Sequence, residues 1–195
     1  MIYRAVKRGL DVIFSVTALV MLGPAIGLIL SSLFIMTGTS PVFVQRRVGF
    51  REQIFSLYKI RTMYSNEMYK SRPRLRRLCW WLRQYSVDEI PQLWNVLKGD
   101  MSLVGPRPLL VEYLPLYNNY QRKRHTVKPG MSGWAQIKGR NTVPWVERFA
   151  LDVWYTEHQS LQLDIQIIFY TVRHLLRPTG VRPEGLSTAE KFTGN

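Results

Sequence analysis

The sequence predicts an α+β protein, predominantly helical: an N-terminal segment that enters a membrane, then a globular domain carrying a small β-hairpin. Three observations carry that expectation. Val12 to Met36 are 25 consecutive residues without a charge, enough to cross a bilayer as a helix. Residues 41–60 set two groups of strand formers on either side of Gly49, the pattern of a hairpin. Later segments repeat their apolar residues at helical spacing. The 195 residues allow one domain plus an appendage, with a sizeable core.

The apolar run has three readings. A signal peptide should have a shorter apolar region and a small-residue cleavage site, whereas this run continues through Leu33, Phe34, Ile35 and Met36. A spanning helix and a re-entrant hairpin remain. Gly23-Pro24 lies at its middle, and a proline there removes a backbone hydrogen bond and clashes with the preceding turn, so a kink or break is expected. Each half reaches about 17 Å, roughly one leaflet. Arg4, Lys7 and Arg8 precede the run, and Arg46 and Arg47 follow it. The positive-inside rule puts both flanks on the cytoplasmic face. The expected organisation is therefore a re-entrant helix-break-helix over residues 1–36 and a cytoplasmic domain over 37–195. A kinked spanning helix is the alternative.

In the globular part, Val42, Phe43 and Val44 with Ile54, Phe55, Leu57 and Tyr58 supply the hairpin strands. Leu75, Leu78 and Leu82 mark an amphipathic helix, whose Trp80 and Trp81 suit either a membrane interface or a core. A helix should run from about Asp88 to Lys98, stopped by Gly99. Pro144 should open another, through Val146, Phe149 and Val153. Leu161, Ile165, Ile168, Val172 and Leu175 mark a last amphipathic helix, and the tail after Pro178 reads as irregular.

A formal charge of +14, from 27 Lys and Arg against 13 Asp and Glu, calls for an anionic partner: nucleic acid, lipid headgroups or a phosphorylated small substrate. The single cysteine, Cys79, excludes an internal disulfide framework and a cysteine-based zinc site. His125, His158 and His174 lack metal-ligand spacing.

Four segments could carry chemistry. Between Arg46 and Arg83 stand eleven Lys and Arg against Glu52 and Glu67, ordinarily a solvated face; Lys59 and Arg61 follow a strand closely enough to bind phosphate. In Ser86-Val87-Asp88-Glu89-Ile90-Pro91, Ser86 and Glu89 match a capping box, so the acids serve a helix start on the plain reading. Pro91 fits better with Asp88 as the cap. That frame puts Asp88 at a positive helix end, ionised and usable as a nucleophile or a divalent-metal ligand. In Gly105-Pro106-Arg107-Pro108 the prolines hold the chain extended around Arg107, which is either an exposed loop residue or a rigidly presented guanidinium for phosphate. His125, within Arg122-Lys123-Arg124-His125, reads as part of a solvated basic stretch. Gly130, Gly133 and Gly139 read as loop glycines and match no nucleotide-binding spacing.

With these motifs in place, the chain resembles the small monotopic phosphoglycosyl transferases of bacteria, the PglC-type sugar transferases, over nearly its whole length. The resemblance lies in Lys7-Arg8 and Asp11, in FSLYKIRTM (55–63), in SVDEIPQLWNVLKGDMSLVG (86–105), in GPRPLLVEYLPLY (105–117), in GWAQIKGRN (133–141), in LDVWY (151–155) and in the terminal EKFTGN (190–195). It implies transfer of a sugar-1-phosphate from a UDP-sugar to undecaprenyl phosphate, with release of UMP, at the cytoplasmic face of the bacterial inner membrane. Magnesium is the implied cofactor, and membrane phospholipids the implied surroundings. Asp88-Glu89 align with the catalytic pair, the aspartate as nucleophile and metal ligand. Lys59, Arg61, Arg107 and Arg140 are the expected phosphate-binding residues, Pro106 and Pro108 shape the loop, and Gly23-Pro24 break the membrane helix.

Two departures stand out. Gly23 replaces the family's usual serine before the hairpin proline, and the segment after Met63 is short and basic where relatives are often longer and acidic. Likeness to the PglC type favours an N-acetylated, amino-modified sugar such as N,N'-diacetylbacillosamine, since the galactose and glucose enzymes are usually longer. Two rivals stay open: the same reaction with another UDP-sugar (galactose, glucose or GalNAc type), and a membrane-tethered basic scaffold that binds nucleic acid, which the resemblance does not lead one to expect.

Overall fold

The structure is a computed structural model, and residues 2–139, 143–176 and 191–194 are described. In chain order the elements are α1 (Ile2–Thr37), β1 (Val42–Val48), β2 (Ile54–Ile60), α2 (Asn66–Ser71), α3 (Pro73–Gln84), α4 (Gln92–Lys98), β3 (Ser102–Val104), α5 (Asn119–Arg122), β4 (Gly130–Ser132), α6 (Trp134–Gly139), α7 (Trp145–Glu157) and α8 (Leu161–Leu176). The predominantly helical α+β class is as the periodicity indicated. The hairpin is also as expected: β1 and β2 pair antiparallel, from Val42 opposite Ile60 to Val48 opposite Ile54. A second, parallel pair, β3 with β4, was not foreseen.

One correction concerns the membrane segment. The helix does not break at Gly23-Pro24: α1 is a single helix of 36 residues with Pro24 inside it. A proline removes one hydrogen bond and can bend a helix without ending it. α1 is long and apolar enough to cross a membrane. Its middle is bare, with Val20, Met21 and Leu28 each over 70% exposed, while both ends are docked on the globular part. At the start, Arg8 donates to the Val96 and Leu97 carbonyls at 2.6 and 2.7 Å, at the C-terminal end of α4, where a cation is favoured. Asp11 accepts from the Leu103 N–H at 3.0 Å, and Lys7 meets Asp164 at 2.6 Å. At the other end, Leu33 is buried with Ile60, Leu75, Cys79 and Leu82.

Trp80 and Trp81 are both partly exposed on α3, so neither is a core residue. Most of the tail after Pro178 lies outside the described residues, but Phe192 returns to an aromatic core with Tyr113, Tyr117 and Phe149.

Of the glycines read as loop residues, Gly130 opens β4 and Gly139 ends α6, and Gly130 and Gly133 have a tighter role. A Cβ on Gly130 would lie 2.0 Å from the Gly105 nitrogen, and one on Gly133 would lie 2.3 Å from the Gly105 oxygen. Backbone meets backbone where the Pro-Arg-Pro loop leaves β3, and no side chain fits. Gly130→Ala should cost about 3 kcal/mol of stability, read as a lowered urea midpoint; an unchanged midpoint would refute this close approach.

Candidate active site

Four of the residues singled out from the sequence converge. Lys59 is near the end of β2, Asp88 and Glu89 lie in a 3-10 turn over Val87–Glu89, and Arg107 stands in the loop after β3. Glu89 is the hub. Lys59 Nζ reaches its Oε1 at 2.7 Å, and Arg107 Nη2 reaches the same oxygen at 2.7 Å, with Nη1 3.5 Å from Oε2. Burial alone would raise the Glu89 carboxyl, but Arg107 and Lys59 hold it far below the usual carboxylate range. It stays ionised.

Asp88 behaves oppositely. Burial first, then the neighbouring Glu89 charge, push its carboxyl up to about 6, against the pull of Lys59 and Arg107. This corrects the expectation that a helix end would favour its ionised form. Helix α4 begins at Gln92 with Pro91 as its cap, so Asp88 lies ahead of the helix, in the 3-10 turn. No capping box forms: Ser86 makes no side-chain cap bond, and Glu89 is taken by two cations. Ser86 has φ 53°, a left-handed conformation uncommon for a residue with a Cβ, immediately before the Val87–Glu89 turn.

Helix α4 also fastens the floor of the site. Asn95, fully buried, donates to the Ser56 carbonyl at 2.7 Å and accepts from the Tyr58 N–H at 3.2 Å. Both bonds tie α4 to β2, one and three residues before Lys59.

Arg107 is presented by a loop whose carbonyls all have partners. The Gly130 N–H donates to Pro106 O at 3.0 Å, Arg124 Nη2 donates to Arg107 O at 2.7 Å, Arg47 Nη1 donates to Pro108 O at 3.3 Å, and the Val48 N–H donates to Leu109 O at 3.2 Å. Pro106 and Pro108 thus sit where the sequence put them. Arg61 does not join the cluster. It stands one residue past β2, beside Tyr64, with its N–H on the Pro41 carbonyl. Arg140 lies outside the described residues.

The basic stretch 122–125 is a third correction. Arg124 and His125 are buried, not solvated. Arg124 pairs with Asp152 of α7 through Nε at 3.1 Å and Nη2 at 2.7 Å. His125 packs against Tyr117 with the rings tilted by 39°; burial, then Arg124, push it down to about 3, which leaves it neutral. Arg47 was read from the sequence only as a membrane flank and Arg124 only as part of a solvated stretch, and Asp152 was given no role. One signal existed: Asp152 follows Phe149 by three residues and precedes Val153, so it falls on the apolar face of its helix, where an acid needs a partner.

A partly buried, weakly acidic carboxylate beside an ionised carboxylate and two cations suits covalent chemistry on an anionic substrate. The comparisons with known proteins agree on the class. Residues 2–178 match the bacterial sugar transferase family, and the chain belongs to it; the class is that of the bacterial phosphoglycosyl transferases. Among its relatives are the uncharacterized sugar transferase EpsL of Bacillus subtilis (strain 168), 49% identical over 80% of each chain, and the exopolysaccharide production protein ExoY of Sinorhizobium fredii, 35% identical over 85% of this chain and 83% of that one. The undecaprenyl-phosphate glucose phosphotransferase of Komagataeibacter xylinus is 36% identical over 86% of this chain, which spans only 35% of that protein.

Proposed function

We propose that the chain transfers a sugar-1-phosphate from a UDP-sugar to undecaprenyl phosphate, with Asp88 as a covalent nucleophile. The observation that carries this is the contrast between two adjacent carboxylates. Glu89 is neutralised by Lys59 and Arg107, while Asp88 is pushed up to about 6. At neutral pH such a carboxylate is mostly ionised, yet more basic than an ordinary aspartate and so a better nucleophile. Asp88 attacks the phosphorus that carries the sugar. The bond to the UMP oxygen breaks, UMP leaves, and an aspartyl phosphosugar remains. A phosphate oxygen of undecaprenyl phosphate then attacks the same phosphorus and frees Asp88. Arg107, with its side chain 42% exposed, keeps donors open for the diphosphate, and Lys59 lies at the same hub.

Magnesium fits this set. Among the described residues no three His, Cys, Asp or Glu cluster as a cage, and Mg²⁺ commonly takes one or two carboxylates with substrate phosphates and water completing its shell. Asp88 would hold it; when bound it neutralises the diphosphate.

Several observations support a re-entrant, cytoplasm-facing arrangement, with residues 37–195 as the cytoplasmic domain. Both ends of α1 pack on one globular body, its exposed middle is apolar, and both flanks are basic. These features fit a bent helix that leaves by the face it entered, in a bilayer of membrane phospholipids.

For the donor, the motif resemblance favours an N-acetylated amino sugar of the diacetylbacillosamine kind. Relatives carry names for glucose, galactose and N-acetylgalactosamine transfer. A UMP-release screen across UDP-sugars with undecaprenyl phosphate tests both levels: release with the N,N'-diacetylbacillosamine donor supports the finer reading, release only with UDP-glucose, UDP-galactose or UDP-GalNAc replaces it, and no release with any donor rejects the reaction.

A further inference from the structure

We infer that the buried Arg124–Asp152 pair is a positioning device for Arg107, acting through the main chain of the Pro-Arg-Pro loop. The inference rests on the reading of Arg107 as a phosphate-binding residue.

The loop is short of donors of its own. Pro106 and Pro108 have no N–H, so the segment is poor in donors with which to fasten itself. Its direction must be set by donors brought to its carbonyls, and four successive carbonyls receive them: Pro106 from Gly130, Arg107 from Arg124, Pro108 from Arg47 and Leu109 from Val48. The donor to Arg107 itself is the guanidinium of Arg124. The side chains of Arg124 and Asp152 are 2% and 3% exposed. Burying two charges is costly, and an apolar pair of similar volume often stabilises a fold as well or better. What apolar residues cannot do is donate a hydrogen bond to a carbonyl. Arg124 Nη2 meets Asp152 Oδ2 and Arg107 O, each at 2.7 Å. Asp152 therefore orients the fork, and the fork fixes the carbonyl of the residue whose side chain faces Glu89.

The test separates positioning from structure by binding of UDP, a diphosphate probe, to full-length protein in detergent, measured by calorimetry. The apolar double variant Arg124→Met, Asp152→Leu should melt within a few degrees of the parent or above it, yet bind UDP about 10-fold more weakly. Arg124→Lys keeps the charge but loses Nε and the rigid plane through which Asp152 aims Nη2 at the carbonyl, and should show a similar loss; it also decides the matter if the apolar pair does not fold. In an Arg107→Ala background, neither change should weaken binding further, since coupled residues are not additive. Parental affinity in the folded apolar variant or in Arg124→Lys, or an equal further loss without Arg107, would make the pair merely structural. If Arg107→Ala alone binds UDP like the parent, the phosphate role of Arg107 falls, and the positioning role with it.

Discussion

Asp88→Asn should lose at least about 10⁴-fold in turnover, the scale seen when a covalent nucleophile is removed, and should at the same time stabilise the protein. The stability gain follows from the raised acidity constant. The folded state holds a proton on Asp88 up to about 6, while the unfolded chain releases it near the ordinary aspartate value. Between those points the folded state binds more protons, so stability falls as pH rises through that window, and the full cost is present above it. Discounted for partial exposure, the cost is about 1–2 kcal/mol, which asparagine removes. The melting temperature at pH 7.5 should rise by about 4 °C, and the difference should shrink as pH falls below 5. Parental turnover, with deamidation of the new asparagine excluded by mass, would dismiss Asp88 as nucleophile. The same titration predicts that the parent's first half-reaction slows tenfold per pH unit below about 6, seen as burst release of UMP; a flat profile down to pH 5 contradicts it.

Arg107→Lys should reduce kcat/KM for the UDP-sugar by about 10²-fold despite conserving charge. Lysine offers a point charge where arginine offers a planar fork. The fork meets the Glu89 carboxylate with both terminal nitrogens, at 2.7 and 3.5 Å. In lysine a single ammonium would be shared between Glu89 and the substrate. Glu89 would then be held by weaker partners, and its repulsion would act more strongly on Asp88. The substitution should therefore also move the acid limb of the pH–rate profile upward. Wild-type kcat/KM with an unmoved profile would remove Arg107 from the phosphate site.

What the sequence made legible depends on range. Local periodicity gave the hairpin at 42–60, the helix around Leu75 and Leu82, and the helix opened by Pro144. Pro106 and Pro108 marked the loop in which Arg107 stands. The Asp88 environment was misjudged because a capping signature fits several frames, and Pro91 turns out to cap α4 itself. Arg124 and His125 were misjudged because four basic residues in a row look solvated, although a helical turn points some of them inward. The glycine contacts at Gly105 and Gly130 and the return of Phe192 depend on tertiary contacts that no local window contains. The Arg124–Asp152 pair is equally non-local, though the acid on the apolar face of α7 announced half of it.

The most direct test of the covalent account is intact mass spectrometry of the full chain incubated with UDP-sugar donors and magnesium but no lipid acceptor. The account predicts an added mass equal to one sugar phosphate, mapped by peptide sequencing to Asp88, absent from Asp88→Asn and discharged by undecaprenyl phosphate. Turnover in the complete mixture with no adduct at any time point, or an adduct on a residue other than Asp88, would contradict it.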